Sequence, residues 1–311
     1  MTLIAEYYRT VWALDPTTFH AMDMVITRWA SGTRLSPEEI QAAVGGAPQA
    51  AADRRAAAQA SGGGGVAVLP VYGVLTPRAY NAQSVSTSMT STELVAAQLR
   101  ALVRDPGVAA VVMDFDTPGG NAQGVAELAD AIHGLRGEKP IVAMVNPTAA
   151  SGGYWAASQC DEIVVTPSGW LGSIGAFMAH DDMSAAMEKE GRKRTYVYSG
   201  KNKVEGNPAG PLSADTQAYL QALSDASYAS FTKQVARGRK VSVETVRSAA
   251  WGEGRMLMAA DAVAAGMADR IDTLENTISR LGKPQGRRAA MSVSVAQARI
   301  DALALGANID A

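Results

Sequence analysis

Strands alternating with helices along most of the chain read as an α/β fold built from repeated βα units. Three observations carry that reading. Val108-Ala109-Ala110-Val111-Val112-Met113 is a continuous apolar run, the pattern of a strand covered on both faces. Helix and strand patterns then follow in turn: helix over 122–135, strand over 141–145, helix over 151–158, strand over 162–166. That succession closes into βαβ units and a largely parallel sheet. Finally, 311 residues of which 47% are hydrophobic and 19% charged suffice to bury a full core.

Residues 1–43 form a helical N-terminal extension: Phe19, Met22, Met24, Val25 and Trp29 recur at helical spacing, and Ser36-Pro37-Glu38-Glu39 has the look of an N-cap followed by proline at the first helical position. Residues 44–65, rich in Ala, Gln, Arg and Gly, read as a flexible linker. The main domain spans 66–282. It opens with a strand region from Val66 to Leu75 and a helix from Ser91 to Val103 with Leu94, Leu99 and Leu102 on one side. After the repeated βα units come strand residues Gly172 to Met178, a short strand ahead of Tyr198, a long helix from Ser213 to about Arg237, and a helix from Leu257 to Ala265 stopped by Gly266. Residues 283–311, opening on Lys283-Pro284-Gln285-Gly286-Arg287-Arg288, read as a C-terminal tail outside the core.

Composition excludes several function classes. Lys+Arg 28 against Asp+Glu 30 leaves a formal charge of -2, so no basic field is available for nucleic acid or an anionic membrane. A single cysteine, Cys160, allows no internal disulfide and reads as a small buried residue closing a helix, and three scattered histidines give no zinc spacing. No metal and no cofactor are expected. Glu6 and Arg9 interrupt the apolar core a secretory signal needs, and no apolar run approaches the ~18 residues of a membrane span. A soluble, cytoplasmic protein with no membrane partner is expected.

Two loops carry candidate chemistry. Asp116-Thr117-Pro118-Gly119-Gly120-Asn121 follows the buried strand directly, and its glycines leave N–H groups uncovered in the crevice above the strand ends, where open α/β sheets bind ligands. An ordinary strand-to-helix turn is the plainer alternative. One βα unit later, Ala149-Ala150-Ser151-Gly152-Gly153-Tyr154-Trp155 sets a hydroxyl at a helix start among residues too small to shield it. The helix dipole and free N–H groups there favour negative charge on a bound carbonyl. A simple N-cap is the alternative for Ser151. The motif is not a Gly-x-Ser-x-Gly elbow, since Ala149 holds the first glycine position.

A serine nucleophile needs a base. His20 lies in the helical extension and His133 along a helix, which leaves His180, with Asp181 beside it, as the histidine candidate. The other candidate is a lysine of Tyr198-Ser199-Gly200-Lys201-Asn202-Lys203. An amine serves as a base only where a nearly dry pocket brings its pKa from about 10.4 towards 7, a differential cost of ~4–5 kcal/mol. A solvated surface lysine is the bland alternative.

The order of these motifs, a Pro-Gly-Gly loop, Ala-Ser-Gly-Gly-Tyr-Trp, Gly-Ser-Ile-Gly at 172–175 and Ser-Gly-x-x-Lys, resembles the signal peptide peptidase A family of serine peptidases over about residues 66–275. The resemblance implies a Clp-peptidase/crotonase-like fold. It implies Ser151 as nucleophile, Lys203 rather than Lys201 as general base, backbone N–H groups at Gly120 and Gly152 as oxyanion hole, and supporting roles for Gly119 and Ser173. Within the family the chain is more similar to the phage capsid-assembly (head maturation) branch. Asp116-Thr117 departs from the Asn-Ser of many members. That branch implies a serine endopeptidase cleaving scaffold, portal or itself inside the procapsid in the bacterial host cytoplasm, as a homo-oligomer whose subunits complete each other's clefts, with a tail continuing towards a scaffolding region. Alternatives are a Ser-His-Asp peptidase of the Clp type using His180, a mainly structural capsid-assembly module, and, more distantly, a crotonase-like acyl-CoA enzyme. The small residues around Ser151 point to small side chains at the cut.

Overall fold

The computed structural model describes residues 10–30, 36, 65–78 and 89–283. The linker at 44–64, the helix start expected at 37–39 and the tail at 284–311 lie outside the described residues. In chain order the elements are β1 (Trp12–Leu14), α1 (Pro16–Ala30), β2 (Val66–Tyr72), β3 (Val74–Thr76), β4 (Met89–Ser91), α2 (Thr92–Arg104), β5 (Ala110–Thr117), β6 (Gly119–Asn121), α3 (Ala122–Gly134), β7 (Ile141–Ala150), α4 (Gly152–Ala157), β8 (Glu162–Val165) and β9 (Trp170–Gly172). There follow α5 (Ser184–Lys189), α6 (Ala214–Arg239), α7 (Val243–Val246), β10 (Met256–Met258), α8 (Ala259–Ala264), β11 (Arg270–Ile271) and α9 (Leu274–Leu281).

The larger sheet runs β10-β9-β7-β5-β2, with β8 on β7 and β11 on β8, and only the β9–β10 pair is antiparallel. Its central strands are apolar throughout because helices or strands cover both faces: Val111, Val112 and Met113 of β5 and Ile141 to Val145 of β7 are all buried. β7 divides its edge. Val142–Val145 pair with β8, and Thr148–Ala150 pair with β9. At Thr117 the chain leaves this sheet, and through Gly119 it enters a second one, ordered β1-β6-β3-β4. The α/β fold from repeated βα units is thus the observed architecture, with the two glycine loops at the C-terminal ends of β5 and β7.

α4 is a short helix with every residue buried, and two large side chains fix it. Trp155 stacks on Phe231 of α6 with centroids 4.4 Å apart, and its Nε1–H donates to Gln234 Oε1 at 2.6 Å. Tyr154 donates its hydroxyl to the Met267 carbonyl at 2.9 Å. The C-terminal end of α6 abuts the end of α4 so closely that a Cβ on Gly238 would lie 2.1 Å from the Ser158 carbonyl oxygen. Arg239 then pairs with Asp269 at 2.7 Å. The N-terminal half of α6 is mostly exposed, touching the body through Thr216 and through Ser224, whose hydroxyl donates to the Ala176 carbonyl at 3.0 Å.

Several elements differ from expectation. The strand expected over 172–178 ends at Gly172, because Ser173 adopts φ 53 and turns the backbone out of the extended region; beyond it Phe177 forms an isolated bridge to Trp12. No strand precedes Tyr198: residues 192–195 are exposed and find no sheet edge to pair with. The helix expected from Leu257 begins at Ala259, since Met256–Met258 pair with β9. On α2, Val95 rather than Leu94 joins the buried face. β1 itself is a strand of the second sheet, directly ahead of α1.

Trp155→Ala removes the stack and the bond to Gln234 together. It should lower the unfolding free energy by about 3–5 kcal/mol, read from the shift of a urea unfolding midpoint.

Candidate active site

The β5–β6 turn comes first. Its bend is held by Thr117, whose Oγ1 donates to the Gly73 carbonyl at 2.6 Å and accepts the Gly119 N–H at 3.1 Å. Gly119 has φ 102, a conformation L side chains rarely adopt, so glycine is required there. Because the Gly119 N–H is taken by Thr117, Gly120 is the next amide able to face a ligand. A Cβ on Gly120 would lie 2.0 Å from the Leu75 carbonyl oxygen, so β3 can run alongside only because the side chain is absent. Asn121 ends the loop by accepting the Gln123 N–H at 2.9 Å and starting α3.

The β7–α4 turn lies against it. Ser151 has φ 51 and ψ -115, sparsely populated for a residue with a Cβ, and such strain persists only where the surroundings enforce it. Enforcement is visible: the Ser151 N–H donates to the Gly172 carbonyl at 2.7 Å, and its carbonyl accepts the Trp155 N–H at 2.9 Å. Its side chain makes no capping bond, which removes the N-cap alternative. The two turns meet backbone to backbone. A Cβ on Gly152 would be 3.2 Å from the Gly120 nitrogen, one on Gly119 would be 2.9 Å from the Gly152 nitrogen, and one on Gly153 would be 2.5 Å from Thr117 Cγ2. Ser173, buried and one residue past the Ser151 partner Gly172, donates its N–H to the Arg255 carbonyl at 2.9 Å.

Residues 133–287 match the family described as Peptidase family S49. Over that stretch the chain belongs to the family. It is similar to the Capsid assembly protease C of Escherichia phage lambda, 37% identical over 207 residues, covering 67% of this chain and 46% of that protein. It is also similar to the Head-tail preconnector protein GP5 of Enterobacteria phage P21, 34% identical over 215 residues, 69% of this chain and 42% of that one. A Putative signal peptide peptidase SppA of Enterococcus faecium is 29% identical over 187 residues, covering 60% and 54% of the two chains. The chain thus spans less than half the length of the two phage proteins. Among solved structures, the 1510-N membrane-bound stomatin-specific protease S97A mutant is similar at 15% identity and a TM-score of 0.41, covering 70% of this chain and 84% of that one.

The stretch matched to family S49 contains Ser151, Ser173, His180 and Lys203, whereas Gly119 and Gly120 precede it. Ser151, Gly119, Gly120, Gly152 and Ser173 come together around the two turns. Lys203 stands apart in its environment: it is exposed, on a turn whose amide bond runs from the Lys203 N–H to the Gly200 carbonyl at 3.0 Å. That turn is tied to α6 through Thr216 Oγ1, which donates to Glu205 Oε2 at 3.4 Å. His180 is half-buried and donates from Nε2 to the Asn207 carbonyl at 3.2 Å, while Asp181 is exposed. Cys160 is no rival nucleophile, since full burial pushes its thiol well above the ordinary range and its Sγ lies 3.9 Å from Met113 Sδ. Among the described residues no group of three or more His, Cys, Asp or Glu is placed to hold a metal ion, and no helix is long and apolar enough to cross a membrane. Sequence reasoning passed over Thr117, although a hydroxyl between a strand end and Pro-Gly-Gly is a usable signal for a pinned turn.

Gly120→Ala forces β3 away from β6. It should cost about 1–3 kcal/mol, measured as a lowered thermal midpoint, and should disturb the site more than Gly134→Ala, where a Cβ meets nothing within 4 Å.

Proposed function

We propose that this chain is a serine endopeptidase of phage head maturation, with Ser151 as nucleophile, Lys203 as general base and the Gly120 and Gly152 N–H groups as oxyanion hole. The observation that carries the reading is the conformation of Ser151: a buried hydroxyl on a strained backbone, unused as a helix cap, followed at once by an amide that meets the Gly119–Gly120 turn. In this mechanism the base takes the Ser151 proton, Oγ adds to a peptide carbonyl, and the oxyanion settles between the two amides. The amine leaves with a proton from the base, and water releases the acyl group. Family S49 and the phage relatives support the reaction class and the setting. Scaffold and portal proteins are the proposed substrates.

The exposure of Lys203 bears on how the dyad is completed. Residues 188–203 are exposed apart from the half-buried Tyr196, and Val197 and Tyr198 lie 99% and 52% open although both are apolar or aromatic. Such a segment is suited to burial against a second copy. We therefore assign completion of the cleft, and the dry surroundings of Lys203, to a homo-oligomer. His180 is the less favoured candidate, because its ring is held by the Asn207 carbonyl at 3.2 Å and no hydrogen bond among the described residues joins it to Ser151 or Asp181.

Ser151→Ala should abolish cleavage of a co-expressed scaffold or portal protein while far-UV circular dichroism stays unchanged; continued cleavage would end the proposal. Lys203→Ala should lower acylation of a peptide ester by about 10²–10⁴-fold, and His180→Ala by less than about tenfold. The reverse ranking would transfer the base role to His180.

A further inference from the structure

β1 lies across the site just described. Trp12, Ala13 and Leu14 run antiparallel to Asn121, Gly120 and Gly119. On its other edge Trp12 bridges Phe177, with N–H to carbonyl distances of 2.9 and 3.0 Å in the two directions. Main-chain bonding along an edge, with side chains seated alternately, is how a sheet takes up an extended peptide.

The register decides which residue meets the chemistry. The Ala122 N–H donates to the Val11 carbonyl at 3.0 Å and the Asp15 N–H to the Pro118 carbonyl at 2.8 Å, so residues 11 and 122, and 15 and 118, are hydrogen-bonded pairs. Antiparallel ladders alternate, which makes Ala13 and Gly120 the bonded pair between them, with the Gly120 N–H donating to the Ala13 carbonyl. That oxygen would be 3.0 Å from a Cβ on Gly152 and 2.2 Å from one on Gly119. It therefore occupies the point where the two turns converge, next to Ser151. Ala13 is fully buried, and the turn that approaches its carbonyl is built of the small residues Ala149, Ala150, Gly152 and Gly153. α1 keeps the strand in this register: Trp12 and Leu14 pack with Met22, Ile26 and Val74, and the Asp15 carboxylate accepts the Thr18 N–H at 3.0 Å.

We infer that the cleft binds an extended peptide antiparallel to Gly119–Asn121 with a small residue at the scissile carbonyl, and that its first substrate is this chain's own Val11–Asp15, cut between Ala13 and Leu14. The inference rests on the Ser–Lys peptidase reading above. Ser151 Oγ bonds to the Ala13 carbonyl carbon as its proton passes to the base. The Ala13–Leu14 C–N bond then breaks and the base returns the proton to the Leu14 nitrogen. One water hydrolyses the Ala13 ester, restoring Ser151 and leaving a carboxylate on Ala13. Leu14 stays anchored through α1, while the segment ending in Ala13 is free to leave and opens the cleft to other strands.

The test follows the full chain, Ser151→Ala and Ser151→Gly over time after purification, by intact mass and N-terminal sequencing. Glycine suits the positive φ at this position and guards against misfolding of the alanine variant. Denatured casein and a synthetic peptide of residues 10–17 are supplied in parallel. The expected result is a new N-terminus at Leu14 in the unmodified chain, formed at least 100-fold faster than in either variant, and cleavage of the peptide at the same bond. A chain that degrades casein but leaves Ala13–Leu14 whole, or cuts residues 10–17 elsewhere, overturns this inference and leaves the peptidase reading standing. A chain that cleaves neither overturns both.

Discussion

The contact between two glycine turns is the constraint from which the rest of the site follows. Gly119 and Gly120 at the end of β5, and Gly152 and Gly153 at the end of β7, approach within distances that admit no side chain. Only because the backbones touch do amides from two separate βα units face a common point. A parallel sheet makes this meeting natural, since β5 and β7 are direct neighbours and end on the same side. The strained Ser151 conformation belongs to the same arrangement, being held by the Gly172 carbonyl on one side and the first turn of α4 on the other.

The burial of α4 explains how a six-residue helix holds such geometry. Isolated helices of this length do not persist in water. Trp155 against Phe231, Tyr154 on the Met267 carbonyl and Gly238 against Ser158 tie it to α6 and to the chain near β11, so strain at Ser151 is offset by packing several residues away. The Ser151 side of the site is therefore braced within a single chain, while Lys203 lies on an open turn.

Much of this was legible in the sequence, for identifiable reasons. The apolar runs of β5 and β7 and the glycines after them are local signals, so the fold class and the residues gathered around Ser151 could be read directly. Ala13 could not, because a three-residue strand carries no periodicity and its importance lies in pairing with residues more than a hundred positions away. The strand expected over 172–178 failed for a different reason: Ile174, Ala176 and Phe177 look extended, and nothing in the side chains announces the positive φ of Ser173. The surroundings of Lys203 are a property of tertiary packing, which spacing alone does not encode.

The one-sided seating of α6 has a mechanical meaning. The helix is held from Phe231 to Gly238 and again at Ser224, which leaves its first ten residues, about 15 Å at ~1.5 Å of rise per residue, as the free arm. A bend of ~12° at Ser224 carries the far tip, and the turn joined to it through Thr216, by ~3 Å, roughly a hydrogen-bond length. A modest bend of one helix is thus enough to shift the turn that carries Lys203 by the length of one hydrogen bond.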